Sequence, residues 1–181
     1  MMWFNFIVGT LVLLWLSRKP LRQKGSHGFY RFLAWECILA IIVLNLPEWG
    51  QHFWSWYQMI SAVILLASIV FLVLGLRALK QFGKAAQSRA DDALYGFERT
   101  TQLVTDGIFA YVRHPMYGSL ILLAWGAAMQ NPHGLGFVLA AAASYWMYRT
   151  AVVEEGECTA YFGLPYADYM RQSKRFVPYL F

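Results

Sequence analysis

Five apolar runs, separated by three short polar breaks and one long one between the third and fourth, set the pattern of the chain. The first covers residues 2–16 and stops at Ser17-Arg18-Lys19-Pro20. The second covers residues 29–46 and ends before Pro47, and the third runs over residues 53–79. The fourth opens at Pro115, a favoured first-turn residue because its missing N–H would be an orphan anyway, and reaches residue 129. The turn Asn131-Pro132-His133-Gly134 leads into the fifth, residues 135–157. Crossing a hydrocarbon core of about 30 Å takes roughly 20 helical residues, so the first run is short and the third is long enough to tilt. Trp49, Trp54, Trp56 and Tyr57 cluster where an interfacial aromatic belt would lie. The pattern predicts an all-α, polytopic transmembrane helical bundle of about five spans.

Two polar stretches interrupt this pattern. Residues 81–99 read as partly helical, with Asp91-Asp92 a helix start, and residues 100–112 as extended with a turn at Asp106-Gly107. Near the end, Gly163 stops the fifth helix and Pro165 begins a short amphipathic one over residues 166–172. No Pro/Ser/Gly-rich linker divides the chain, so residues 1–181 read as one membrane domain, with three spans in residues 1–79 and the polar clusters in residues 80–181. The first run follows no basic residue and precedes no small-residue cleavage site, so it reads as a retained helix and not a signal peptide.

Composition strengthens the membrane reading. Hydrophobic residues make up 59% and charged residues 14%, against about 45–50% and about 25% in soluble domains. The net charge of +5 would suit nucleic acid, but its distribution argues otherwise. All fifteen Lys and Arg fall in residues 18–31, 77–113 and 149–175, and the intervening loops have none. Alternation of basic and uncharged loops follows the positive-inside rule and places the N-terminus outside and the C-terminus in the cytoplasm. Cys37 and Cys158 form neither a metal spacing nor a disulfide framework, and no metal site is expected.

The chemistry-bearing groups stand at the ends of the last two apolar runs. Arg113 and His114 precede the fourth helix, whose first N–H groups and dipole suit an anion such as a carboxylate; the same pair would also serve as an interfacial anchor. Glu154 and Glu155 close the fifth. Adjacent helical residues point about 100° apart, so one of the two faces the bundle. That carboxylate would bind a cationic amine or sulfonium, or pair with Arg113; a solvated helix end is the plain alternative. Glu36, inside the second run, either reaches the interface and pairs with Arg31 or lines a substrate cavity. Arg149 either meets an acidic substrate group or marks the inner interface. His52 and His133 read as loop residues. No nucleophilic triad, phosphate loop or dinucleotide fingerprint occurs.

Leu103-Val104-Thr105-Asp106-Gly107-Ile108-Phe109, Arg113-His114-Pro115-Met116-Tyr117, Glu154-Glu155, Phe162-Gly163, Tyr166, Tyr169, Arg175 and Pro178, in that order, resemble the isoprenylcysteine carboxyl methyltransferase family. The related phospholipid N-methyltransferases and thiol S-methyltransferases share this signature, which covers about residues 75–181. The resemblance implies an integral membrane enzyme that uses S-adenosylmethionine, held at the cytoplasmic face between the last two helices and the C-terminal segment. It implies cofactor contacts from Thr101, Gln102, Leu103 and Val104, largely through backbone, from Phe109, from His114, Pro115, Met116 and Tyr117, and from Glu154. Catalytic or substrate-orienting roles fall to Arg113, Arg149 and Glu155. The family's substrate-side arginine, four residues before the Glu pair, is here Thr150, and Arg149 is rotated by about 100° from it. The residue after the pair that is usually leucine is replaced by Cys158.

The expected reaction is methyl transfer of the carboxyl O-methyltransferase type, to a lipophilic small-molecule or lipid-modified acceptor that enters from the bilayer. Phospholipid N-methylation and thiol S-methylation are the alternatives. An NADPH-dependent sterol-type reductase would need a basic cluster for the 2′-phosphate, and none is clear. A non-catalytic membrane scaffold would keep the topology without the activity.

Overall fold

The computed structural model describes residues 2–83 and 102–179. Among them are six α-helices: α1 Met2–Leu16, α2 His27–Asn45, α3 Trp56–Phe82, α4 Pro115–Ala128, α5 Gly134–Phe162 and α6 Leu164–Gln172. Thr101, the Asp91-Asp92 helix start and most of residues 81–99 lie outside the described residues.

The differences from the expected boundaries are differences of capping. α2 begins at His27, two residues early, because Ser26 Oγ accepts the Phe29 N–H at 3.2 Å. α3 begins at Trp56 because Ser55 Oγ accepts the Gln58 N–H. His133 is a helix cap rather than a plain loop residue: its Nδ1 accepts the Gly136 N–H at 3.0 Å. α5 continues to Phe162 and stops at Gly163, whose φ of +67° suits glycine best. The segment before α4 is not simply extended: after Asp106 it closes a 3₁₀ turn, Gly107–Ala110, with Gly107 at φ +65°.

α2 packs chiefly on α5 and α3 chiefly on α4, and contact between α4 and α5 joins the two pairs. α1 lies against α2 and buries none of its residues. The central seam is built from small side chains. Ala124, Ala127 and Ala128 of α4 and Ala140 and Ala143 of α5 are fully buried against Ile38 and Ile41 of α2. Small residues let apolar helices approach closely where no hydrophobic force draws them together. The outward faces stay apolar: Trp3, Phe4, Ile7 and Leu11 of α1 and Val63, Leu66 and Ile69 of α3 are exposed.

α2 (with the turn after it) and α3 are the described helices long and apolar enough to cross a membrane; α1 and α4 are apolar but shorter. Buried polar groups at the far end of the bundle satisfy one another across helices. Gln58 donates to the Gln130 carbonyl at 3.1 Å and Gln130 to Ser61 Oγ at 2.7 Å; Asn45 donates to the Ala127 carbonyl at 2.8 Å. Glu36 does not pair with Arg31. It reaches α1, where the Thr10 hydroxyl donates to it at 2.9 Å, while the Arg31 guanidinium lies 5.5 Å over the Trp35 ring.

The α3–α4 contact depends on the absence of a side chain at Gly126. A Cβ there would sit 2.7 Å from Leu65 Cδ2 and 3.3 Å from the Leu65 backbone nitrogen. Gly126→Ala is therefore expected to destabilise the fold by about 1–3 kcal/mol through overpacking. Thermal unfolding of the detergent-purified protein reads this as a lower midpoint than wild type; an unchanged midpoint would show that α3 and α4 separate freely.

Candidate functional site

The polar residues at the ends of α4 and α5 meet around one carboxylate. Glu155 is buried, with 8% of its side chain exposed. Arg113 donates to its Oε1 through Nε at 2.9 Å. Arg175, from the segment after α6, donates to Oε1 through Nε at 3.1 Å and to Oε2 through Nη2 at 2.7 Å. His114 Nε2 lies 3.3 Å from Oε1. The other ring nitrogen, Nδ1, faces Glu154 Oε2 at 3.2 Å. The expectation that one of the two glutamates would face the bundle is thus corrected. Their side chains diverge, but the His114 ring lies between them and engages both.

Both partners of that ring are acceptors, so both nitrogens must donate and the ring is an imidazolium. Burial alone would lower the His114 pKa, but its hydrogen bonds to Glu154 and Glu155 outweigh burial and raise it above 6.5. Burial works against the Glu154 carboxylate as well; the bond from His114 overcomes it and brings the pKa down to about 2. Burial likewise opposes the charge on Glu155, and His114, Arg175 and Arg113 hold it far below the usual carboxylate range. Glu154, Glu155 and the residues after them follow the apolar part of α5.

The C-terminal segment is tied across the start of α4. The Arg113 N–H donates to the Lys174 carbonyl at 2.7 Å, the His114 N–H to the Arg175 carbonyl at 3.1 Å, and the Lys174 N–H to the Tyr111 carbonyl at 3.1 Å. Arg113 Nη1 donates to the Met170 carbonyl at 3.1 Å and to the Ser173 carbonyl. Tyr169 donates its hydroxyl to the Phe109 carbonyl at 2.6 Å and so fixes the 3₁₀ turn.

These ties border a pocket that is open to solvent. Leu103, Val104, Phe109, Arg113, His114, Pro115, Met116, Tyr117 and Glu154 line it. The structure therefore brings together most of the residues singled out in the sequence. Gln102 is exposed and is not in the wall, Glu155 lies behind it, and Arg149 faces elsewhere, its guanidinium 5.1 Å over the Tyr30 ring. Thr150 is buried and donates to the Trp146 carbonyl of its own helix at 2.8 Å.

Five wall residues were not assigned from sequence: Leu79 of α3, Cys158 and Phe162 of α5, and Tyr166 and Tyr169 of α6. Cys158 and Phe162 follow Glu154 at steps of four, which places them on one helix face. Phe162 stacks on Tyr166 at 6.4 Å. Burial raises the Tyr166 and Tyr169 pKa values well above the usual phenol range, so both hydroxyls remain donors.

His114 spends both ring nitrogens on the two glutamates, and Arg113 donates to Glu155 and to the Met170 and Ser173 carbonyls, so both are engaged within the protein. What remains for an anion is the first turn of α4, which no side chain caps. What remains for a cation or hydroxyl is Glu154, with 17% of its side chain exposed.

A model of the phospholipid methyltransferase family matches residues 56–163, from the start of α3 to the end of α5. The chain belongs to that family. Membership makes it a membrane methyltransferase of lipid-like substrates. No curated protein and no solved structure matches it. The family match covers α3, α4 and α5 and stops before α6, which supplies Tyr166 and Tyr169 to the wall, and before the strap formed by residues 173–179.

Removing the Glu155 charge leaves three cationic groups facing one another in a buried space. Glu155→Gln is expected to cost about 3–5 kcal/mol, as for a broken buried ion pair. Arg149→Ala, which loses one ring contact, should cost about 1 kcal/mol or less. Thermal midpoints of the two variants in one detergent test the contrast.

The cluster also sets a pH window. Glu154 has a lowered folded-state pKa, so its stabilisation is complete above 4.5 and fades as pH falls toward about 2. His114 has a raised pKa, so its contribution is complete below 6.5 and is lost as pH rises through the folded-state value. Stability from this pair is therefore expected to peak between pH 4.5 and 6.5. In Glu154→Gln the acid-side loss should weaken, which a midpoint-against-pH curve would reveal.

Proposed function

We propose that the protein is an integral membrane methyltransferase that takes its methyl group from S-adenosylmethionine and passes it to a lipophilic acceptor. Family membership carries the reaction class, since such methyltransferases generally use this cofactor. The pocket supports the assignment of the cofactor site. Its residues fit the group chemically: the uncapped first turn of α4 suits the carboxylate, Glu154 suits the amine or ribose hydroxyls, and Phe109, Phe162 and Tyr166 offer aromatic walls for the adenine. When bound, the cofactor supplies an electrophilic methyl group on a sulfonium.

The chain's part is proximity and exclusion of water. Glu155 holds Arg113, His114 and Arg175 in place, and through them the first turn of α4 and the strap. A positioned donor and acceptor can supply a large share of a displacement barrier without any covalent step by the protein. Arg113 thereby acts as a positioning residue, and Glu155 acts through it.

We read α1 to α5 as five spans, with the N-terminus outside and the pocket at the cytoplasmic face. The basic stretches at residues 18–31, 77–113 and 149–175 support that orientation. The acceptor would reach the site laterally, past helices whose outer faces are apolar. The resemblance to isoprenylcysteine carboxyl methyltransferases favours a carboxylate acceptor. The phospholipid methyltransferase match favours a lipid amine as a second reading.

The reading is tested by binding and by product chemistry. Wild-type protein in detergent should bind S-adenosylhomocysteine, and His114→Ala should bind it at least about tenfold more weakly, the equivalent of one charge-assisted contact. Absence of binding, or equal binding by His114→Ala, would sink the proposal. Radiolabelled methyl transfer to total membrane lipid, followed by base, then separates acceptors: a volatile label marks an ester and a retained one an N- or S-methyl product.

A further inference from the structure

The three acids at the inner end of α5 all have partners. His114 engages Glu154; Arg113, His114 and Arg175 engage Glu155; His27 engages Glu157. Arg149, little more than one turn before them, pairs with none. Its guanidinium lies 5.1 Å over the Tyr30 ring, and no carboxylate, carbonyl or hydroxyl among the described residues accepts from it. The side chain is only partly exposed, and all five of its N–H donors are left for an acceptor from outside the described residues.

Depth says which acceptor is at hand. Arg149 lies about 22 Å along α5 from its first residue, Gly134, at 1.5 Å per residue. A span crossing about 30 Å of hydrocarbon carries it in the inner leaflet, and its long stem reaches toward the level of the lipid phosphates. A cation at that depth is kept with a partner or for a function. Its seat is aromatic. Tyr30 stacks on Trp146 with ring centroids 6.0 Å apart, and Tyr145 meets Trp146 edge-on at 5.0 Å. Stacking orients the guanidinium plane and leaves its edge free to donate. Tyr145 and Val138, on the same face of α5 toward the bilayer centre, are exposed and apolar. Neither Arg149 nor any of these residues lines the pocket.

We propose that Arg149, seated on Tyr30 and Trp146, binds the phosphate of a glycerophospholipid at the α2–α5 seam, with an acyl chain lying along Tyr145 and Val138. A guanidinium meets a phosphate through paired N–H···O bonds, and phosphate is the anion that the inner leaflet presents at this level. Arg175 adds positive charge on the neighbouring strip of α5, where its guanidinium lies 5.1 Å over the Tyr148 ring. The lipid sits beside the reaction and not in it, because the methyl acceptor must be held at the pocket and Arg149 is absent from its wall. The proposal rests on α5 as a membrane span and is independent of the methyl donor.

The test uses the full chain in a non-ionic detergent and follows its thermal midpoint against three probes: dioctanoyl phosphatidylglycerol, dioctanoylglycerol and inorganic phosphate. Wild type should gain stability, to saturation, with phosphatidylglycerol and with neither of the others. Arg149→Gln should need at least about tenfold more of it, the loss of one charge-assisted contact. Arg149→Lys should fall between the two, since an ammonium offers no planar fork. Arg18→Gln removes another arginine that lies over a ring, Trp15 at 5.4 Å, but on the exposed surface; it should titrate as wild type. Equal titration of wild type and Arg149→Gln, or an equal loss in Arg18→Gln, overturns the proposal. So does equal protection by dioctanoylglycerol, which marks an apolar seat alone, or by inorganic phosphate, which marks a general anion effect. Should Arg149→Gln fail to fold, Arg149→Lys decides, and a wild-type titration by it overturns the proposal. A chain that stays dissolved without detergent or lipid would instead overturn the membrane reading beneath it.

Discussion

One buried carboxylate holds three separate parts of the chain together. Glu155 ends the apolar part of α5 and accepts from Arg113 before α4, from His114 at its cap, and from Arg175 after α6. A carboxylate removed from water needs such compensation, and each cation needs a negative partner, so each group is costly without the others. The side chains of Arg113, His114 and Arg175 balance Glu154 and Glu155 to a net charge of about one positive. The pocket borrows its rigidity from this cluster. The wall residues themselves are mostly apolar, and apolar contact alone would not fix the register of the strap against residues 111–114.

The helices provide the frame that makes the cluster necessary. Alanines and glycines let α2, α4 and α5 pack closely through the apolar seam. Polar pairs then mark its two ends: Gln58, Ser61, Gln130 and Asn45 at one, the glutamates and histidines at the other. The first set donates to backbone carbonyls and to itself, with Gln58 Oε1 left without a partner among the described residues. The second leaves Glu154 partly open to a cavity, and that difference separates a structural network from a site.

Helix existence was legible in the sequence because it depends on runs of apolar residues, and all five runs appear as helices. The start of α4 was legible for a local reason, the fixed φ of Pro115. The boundaries set by Ser26, Ser55 and His133 were less so, because a cap is a side-chain hydrogen bond that depends on rotamer as well as residue type. In the site, Arg113-His114 and Glu154-Glu155 were found because charge beside apolar runs stands out. Pairing of one glutamate with Arg113 was among the expectations and is present, but the bridging imidazole was not: the helical angle predicts where two side chains leave the backbone, not that one ring can engage both. Tyr166, Tyr169 and Phe162 escaped assignment since aromatic residues at helical spacing read equally well as core.

The same reasoning explains why a long-range pair is harder to read than the pocket. Apart from Leu79, the pocket collects its residues from two stretches, 103–117 and 154–169, so spacing carries information about it. His27 and Glu157, by contrast, pair across 130 positions, and nothing in their local sequence announces the contact. A histidine at the first turn of a span looks like an interfacial residue, and Glu157 looks like one more acid at a helix end. Only the packing of α2 on α5 turns them into a pair with one nitrogen left over. Arg149, which the sequence left as either a substrate contact or an interface marker, lies with its guanidinium over the Tyr30 ring.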